Sequence, residues 1–135
     1  MQALLLEDDA VLSSEIALFL ESKSIKTDKA EDGEVFLNQF TGKDYDIFLL
    51  DINVPKINGL EICKTIRETN SETPIIIISA YDGIEEKKEA FLQAADDYLV
   101  KPFLLEELLL RINSQMRRRT PKTDEIEKIV IEDLE

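Results

Sequence analysis

Apolar and polar positions along this chain repeat a pattern: short apolar runs alternate with stretches whose apolar residues recur at helical spacing, five times over. The first run is 3–6, broken by the acidic triplet Glu7-Asp8-Asp9, and a helix should follow with Leu12, Ile16, Phe19 and Leu20 on one face. Residues 25–30 read as a weak second strand, and Asp32-Gly33 leads into a short helix carrying Val35, Phe36 and Phe40. The third strand, 47–50, ends at Asp51. A loop over 52–58 precedes a helix over 59–68 with Ile62, Cys63 and Ile66 inward. Residues 74–78 form the fourth strand, which ends at Ser79. The next helix, 85–95, has a poor apolar face, mainly Phe91 and Leu92. Residues 98–100 are the fifth strand and end at Lys101-Pro102. The last helix, 105–118, puts Leu108, Leu109, Ile112 and Met116 near one face, and Pro121 closes it off.

Strands three and four are apolar on consecutive residues, as expected when helices cover both faces of a parallel sheet. The (βα)5 alternation therefore predicts an α/β fold with an open, doubly wound, five-stranded parallel sheet. That domain should occupy 1–119. Residues 120–125 are polar and contain a proline, so they read as a linker. The tail, 126–135, includes a strand-like Ile129-Val130-Ile131. Ten residues cannot make a domain, so this is either a frayed end or the first piece of something longer.

Composition narrows the chemistry. The chain has 135 residues, 29 acidic against 16 basic, and a net charge of -13, so nucleic acids should repel it unless a local basic patch intervenes. It contains no histidine, which excludes Ser-His-Asp and Cys-His catalysis and any imidazole metal site. A single cysteine, Cys63, rules out an internal disulfide and a thiolate zinc cluster and fits a reducing cytosol. The apolar runs are too short to cross a bilayer and no secretory signal opens the chain, so a cytoplasmic location is expected. Carboxylates, hydroxyls, lysines and hard cations remain.

In doubly wound sheets, ligands bind at the carboxyl ends of the strands. Strand one delivers Glu7 and Asp8 there, strand three Asp51, strand four Ser79 and strand five Lys101. Converging carboxylates repel one another unless a cation relieves them. An all-oxygen site with few protein ligands suits Mg2+, which keeps several waters. With Lys101 as a compact positive charge and Ser79 as a hydroxyl donor, the set makes a cradle for a phosphoryl group.

At these residues the sequence resembles a response regulator receiver domain, the phospho-acceptor half of two-component signalling. The matching stretches are Leu4-Leu5-Leu6-Glu7-Asp8-Asp9, Asp51-Ile52-Asn53-Val54-Pro55 with Asn58-Gly59 behind it, Ser79-Ala80, and the run from Ala95-Asp96-Asp97-Tyr98 to Lys101-Pro102-Phe103. The resemblance implies a flavodoxin-like receiver fold over 1–119. It makes Asp51 the phosphorylated residue, with Mg2+ held by Glu7, Asp8, Asp51 and the main-chain carbonyl of Asn53. Ser79 and Lys101 would contact the phosphate, and Tyr98 would be the aromatic switch whose ring moves inward on activation. It also implies a cis Lys101-Pro102 bond and a sensor histidine kinase as phosphodonor. On this reading the chain is not an enzyme in its own right, and slow loss of its own phosphoryl group is compatible with it.

A narrower resemblance is to the OmpR/PhoB-type regulators, which carry a winged-helix DNA-binding domain. Its marks are Asp96-Asp97-Tyr98, the Lys-Pro-Phe, and a last helix with Glu106-Glu107-Leu108 and Arg111 ending in Arg117-Arg118-Arg119. The resemblance implies a homodimer in which Lys87, Asp97, Glu107 and Arg111 pair across a symmetric interface. It further implies that 129–134 open a truncated effector domain, with DNA contacted only through that absent part. Three positions depart from the pattern: Ala94 stands where a glycine is usual, Lys88 replaces an apolar residue, and Tyr81 is bulky enough to shield a phosphoryl group from water.

Plainer roles compete for several of these residues. Asp9 fits a helix N-cap better than an outer metal neighbour. Tyr98 could be simple core packing, and the Lys87, Asp97, Glu107 and Arg111 set a solvated face. Cys63 reads as core and the arginine triplet as a favourable helix end. Two other function classes stay open: a receiver-like interaction module that works without phosphorylation, and a Mg2+-dependent phosphohydrolase with an aspartyl nucleophile. The phosphohydrolases usually place that nucleophile in an Asp-x-Asp on strand one, which this chain lacks.

Overall fold

The computed structural model describes residues 1–69 and 72–119, and within them strands and helices alternate without exception. In chain order they are β1 (Gln2–Leu6), α1 (Ala10–Ser22), β2 (Lys26–Ala30), α2 (Gly33–Phe40), β3 (Ile47–Asp51), α3 (Gly59–Thr69), β4 (Ile75–Ser79), α4 (Ile84–Leu92), β5 (Asp97–Val100) and α5 (Leu105–Arg119). The strands form a parallel sheet in the order β2-β1-β3-β4-β5. The expected linker at 120–125 and tail at 126–135 lie outside the described residues.

The period-two alternation of a strand explains the unbroken apolar runs. Leu4, Leu6, Phe48, Leu50, Ile75 and Ile77 face one side, where they pack with Phe36, Ile62, Cys63, Ile66 and Ala90 of α2, α3 and α4. Ala3, Leu5, Ile47, Leu49, Ile76 and Ile78 face the other, against Ile16, Leu20, Leu108 and Ile112 of α1 and α5. Each strand of the centre is thus buried on both faces, and polar residues can surface at its ends.

Local chemistry starts the helices at the carboxyl edge. Asp9 caps α1, its side chain accepting from Val11 N at 3.0 Å and Leu12 N at 3.2 Å. Asp32 caps α2 through Val35 N at 2.9 Å, and Asn58 caps α3 through Leu60 N at 2.9 Å and Glu61 N at 3.0 Å. Each such cap is worth about 1 kcal/mol. Gly59 is required where α3 begins, because a Cβ there would run into the main-chain oxygen of Asp51. The Lys101-Pro102 bond is cis, as expected.

The fourth helix departs from the sequence reading. It spans Ile84–Leu92 and buries Ala90, while Phe91 and Leu92 are 49% and 76% exposed. The pair that makes up its apolar face therefore points largely to solvent. The helix stops three residues early because Ala94 adopts a left-handed conformation, φ 71°, and the Ala95 amide returns to the Ala90 carbonyl at 3.1 Å. Arg67 clamps that turn: its Nε donates to the Ala94 carbonyl at 3.0 Å, Nη1 to the Thr73 carbonyl at 2.8 Å, and Nη2 to Asp96 at 2.8 Å. Asp96 in turn accepts from Ile75 N at 2.8 Å, which ties the start of β5 to the start of β4.

Candidate functional site

Parallel strands that end together deliver their next residues to one edge. Register sets Asp51 against Ile78 and Ser79 against Val100, so the ends of β3, β4 and β5 stagger around a common hollow beside β1. Glu7, Asp51 and Ser79 are buried and Asp8 is exposed at the rim. One carboxylate oxygen each from Glu7, Asp8 and Asp51 lie within 4.8 Å of one another. The cavity of about 310 Å³ that they line is completed by Asn53, Ser79, Tyr81 and Lys101.

Lys101 offsets part of the cluster's charge. Its Nζ donates to Glu7 Oε1 at 2.9 Å and to Asp51 Oδ2 at 3.0 Å. Burial works against its charge, but these two bonds hold the ammonium above its ordinary range. The other oxygens are anchored by main chain: Glu7 Oε2 accepts from Asp9 N at 3.0 Å, and Asp51 Oδ1 from Asn53 N at 3.2 Å. Burial raises the Glu7 carboxyl above the usual glutamate range, with repulsion from Asp51 adding and the bonds to Lys101 and Asp9 opposing. Charge balance here is local, with one ammonium against three converging acidic groups, and the surplus negative charge favours a hard cation.

Ser79 and Tyr98 are linked through the intervening loop. Ser79 Oγ accepts from Tyr81 N at 3.0 Å, and the Tyr98 hydroxyl donates to the Tyr81 carbonyl at 2.7 Å. The Tyr98 ring is buried. Burial raises its phenol above the ordinary value, the neighbouring Ser79 hydroxyl pulls the other way, and Glu86, Asp51 and Asp82 add to the rise. Sequence reasoning picked out Tyr81 for its bulk and missed this role of its main chain, for which no side-chain signal exists. It also passed over Arg67, whose signal was only a basic residue in the last turn of a helix.

The response regulator receiver domain family matches residues 3–113, covering every element from β1 into α5. The chain belongs to that family. Among curated relatives of this receiver domain, the response regulator ArlR of Staphylococcus epidermidis is 44% identical over 119 residues, which is 88% of this chain and 54% of that protein. The cell cycle response regulator CtrA of Brucella ovis is 41% identical over 118 residues, 87% of this chain and 51% of that protein. The receiver domain thus spans about half the length of the curated relatives it matches. Among solved structures, the receiver domain of Francisella response regulator 1452 superposes with a TM-score of 0.82 at 35% identity, covering 87% of this chain and 97% of that one. DrrB, a Thermotoga maritima OmpR/PhoB homologue, gives 0.81 at 30% identity, covering 87% of this chain and 52% of that one.

The charged set on the β5 side of the receiver domain is brought together within one chain. Arg111 Nη1 donates to both oxygens of Asp97, at 2.9 and 3.0 Å, and Nη2 reaches Glu107 at 3.3 Å. Lys87 stands apart from that network, its Nζ 5.9 Å from the centre of the Tyr98 ring. Among the described residues no helix is long and apolar enough to cross a membrane.

Proposed function

We propose that this receiver domain accepts a phosphoryl group on Asp51 from the phosphohistidine of a sensor histidine kinase. The observation that carries the reading is the meeting of Glu7, Asp8, Asp51, Ser79 and Lys101 around one small cavity. The donor set of Glu7, Asp8 and Asp51 is all oxygen, acidic and partly solvated, which fits Mg2+. Glu7, Asp8, Asp51 and the Asn53 carbonyl would hold that ion, which when bound neutralises charge on the transferring phosphoryl group. An Asp51 carboxylate oxygen attacks phosphorus in line, the P–N bond to the kinase imidazole breaks, and its electron pair stays on the leaving nitrogen. Lys101 is within reach of the acyl phosphate, and Ser79 presents a hydroxyl beside it.

If the Ser79 side chain turns so that its hydroxyl donates to the phosphoryl group, it gives up the bond it accepts from Tyr81 N and with it a hold on the loop that carries Tyr98. The face built from α4, β5 and α5 is biased through that link, and a local charge becomes a shift between two arrangements. We infer that this face forms a symmetric homodimer through Lys87, Asp97, Glu107 and Arg111. The output is control of a transcriptional effector that contacts DNA through a further domain, since the matched relatives extend to about twice the aligned length. The protein acts in the cytoplasm, as its cysteine usage suggests.

Intact-mass spectrometry after incubation with a small acyl phosphate and Mg2+ tests this. One phosphoryl group should be added, and it should be lost in Asp51→Ala and in a chelated control. No addition to a folded chain would overturn phosphorylation and leave an interaction module that works without it.

A further inference from the structure

The two ends of α4 are held by different parts of the molecule. Between Ser79 and Ala90 no residue is buried, and the first half of the helix belongs to neither core. Its N-cap is Gly83, which offers no side-chain cap, and the bond from Lys87 N to the Gly83 carbonyl is long at 3.3 Å. Among the described residues, the hydrogen bonds that tie 80–88 to other elements both run through the backbone of Tyr81. Its amide donates to the Ser79 hydroxyl, and its carbonyl accepts from the Tyr98 hydroxyl. Lys87 adds a loose approach to the Tyr98 ring, 5.9 Å from its centre.

The other end is anchored on α3. A helix ends in carbonyls that have no partner within it. Here Cys63 Sγ donates to the Gln93 carbonyl at 3.1 Å and Arg67 Nε to the Ala94 carbonyl at 3.0 Å. Residues four apart share a helix face, so successive turns of α3 meet successive carbonyls at the end of α4. Burial pushes the Cys63 thiol up to about 11, so it remains a protonated donor. Arg67 also grips Asp96, which is joined to Ile75 in both directions: Asp96 N to the Ile75 carbonyl at 2.8 Å, and Ile75 N to Asp96 Oδ2 at 2.8 Å. Ala90 shares the core there with Cys63 and Ile66. None of these anchoring residues lines the acidic cavity.

We propose that α4 is a lever. Arg67 and Cys63 fix its hinge at Gln93 and Ala94, and the two bonds at Tyr81 latch its free end. Releasing the latch swings Ile84 and Lys87 outward or sideways while Phe91 and Leu92 stay in place. Arg67 is thus a positioning residue that decides which end of the helix can move. The lever belongs to the unmodified fold. Only the claim that a phosphoryl group on Asp51 releases the latch rests on the function proposed above.

The test measures distances between two nitroxides by pulsed electron paramagnetic resonance in the whole 135-residue chain. One label sits on Leu18→Cys in α1 and the other on Glu85→Cys or Leu92→Cys. All three positions are exposed, and Cys63 is buried and stays unlabelled. An excess of unlabelled chain confines the measured pairs to one molecule. Ser79→Ala with Tyr98→Phe removes both latch bonds without any phosphoryl group. Glu85 lies about 12 Å along the axis from Gln93, so a tilt of about 20° carries it about 4 Å and Leu92 less than about 1 Å.

In the unlatched chain the Leu18–Glu85 distance should shift or broaden by about 4 Å while the Leu18–Leu92 distance is unchanged. Adding Arg67→Lys, which keeps the charge but not the fork of directed donors, should free the Leu92 label as well. The urea midpoint reports whether each variant is folded. Equal movement of both labels with Arg67 in place overturns the hinge, and stillness of both overturns the latch. A chain with Arg67→Lys that loses stability yet keeps its Leu92 distance overturns the positioning role. No arm uses phosphate, so failure of the lever and failure of the Asp51 chemistry are told apart.

Discussion

The hydroxyl of Tyr98 donates to the main-chain carbonyl of Tyr81 at 2.7 Å, and the Tyr81 amide donates to the hydroxyl of Ser79 at 3.0 Å. A buried ring at the α4-β5-α5 face is thereby joined to the wall of the acidic cavity through one residue's backbone. Tyr98→Phe keeps the ring and removes the link. It should lower unfolding free energy by about 1 kcal/mol, read from the urea midpoint at unchanged slope, and leave the mass increase expected on incubation with an acyl phosphate unaltered. An unchanged midpoint would mean that the bond contributes nothing in solution.

Tyr81 itself is 44% exposed and lines the same cavity as Asp51 and Lys101. A ring there would limit the approach of water to an acyl phosphate on Asp51. In Tyr81→Ala the phosphoryl half-life, followed by intact mass after the donor is removed, should shorten severalfold. Equal half-lives would show that the ring does not shield.

Arg111 already satisfies Asp97 and Glu107 within its own chain, so a dimer built on these residues must exchange partners. The side chains are partly exposed, and breaking the network by Arg111→Ala should cost no more than about 1 kcal/mol of fold stability. Its effect on association should be larger, at least about tenfold in the dimer constant of the phosphorylated chain, because two carboxylates would then face each other across the interface unpaired. Sedimentation and urea titration measure the two separately. Loss of stability without loss of association would make the set a solvated face.

At Ala94 the backbone holds a left-handed conformation that an L side chain adopts at a cost of about 1–2 kcal/mol. Ala94→Gly removes that strain but adds freedom to the unfolded chain, leaving a net stabilisation of about 0.5–1 kcal/mol. Urea denaturation checks it. A destabilised variant would mean that Arg67 and the α4 end depend on the Cβ.

Asp28 gives a pH dependence away from the cavity. The Tyr45 hydroxyl, at 2.7 Å, and then Lys43, at 2.9 Å, hold its carboxyl below the ordinary value of 3.8. The folded state therefore binds this proton less readily than the unfolded one. Its stabilisation is fully present above pH 3.8 and is lost as pH falls through the depressed folded value. The side chain is 37% exposed, so solvent screening limits the effect to a few tenths of a kcal/mol. The gap in melting temperature between the native chain and Asp28→Asn should be constant well above pH 3.8 and close as pH falls through and below it. A gap that widens on acidification would reverse the assignment.

Sheet, helix count and the cluster of Glu7, Asp8, Asp51, Ser79 and Lys101 were legible because each strand announces itself as an apolar run and its end as the first polar residue. The α4 region was not. Phe91 and Leu92 look like an inner face in a helical pattern, but the buried contact belongs to small Ala90, which lets the helix lie close to the sheet. Helix length there is decided by Ala94, whose left-handed turn is held by Arg67 from another element, and no local pattern reveals a clamp of that kind. The links from Ser79 to Tyr81 to Tyr98 run through main-chain atoms, which every residue possesses alike.

The alternation of the two cores along β3 bears on how this protein tolerates change. Phe48 and Leu50 face the α2–α3–α4 layer, Ile47 and Leu49 face α1 and α5, and Asp51 comes next. Exchanging one apolar residue for another alters volume at a single point. Deleting one residue would reverse the facing of all those beyond it, carrying the Asp51 carboxylate out of line with Lys101 while a hydrophobic side chain took its place. The central strands can therefore drift in spelling but not in length.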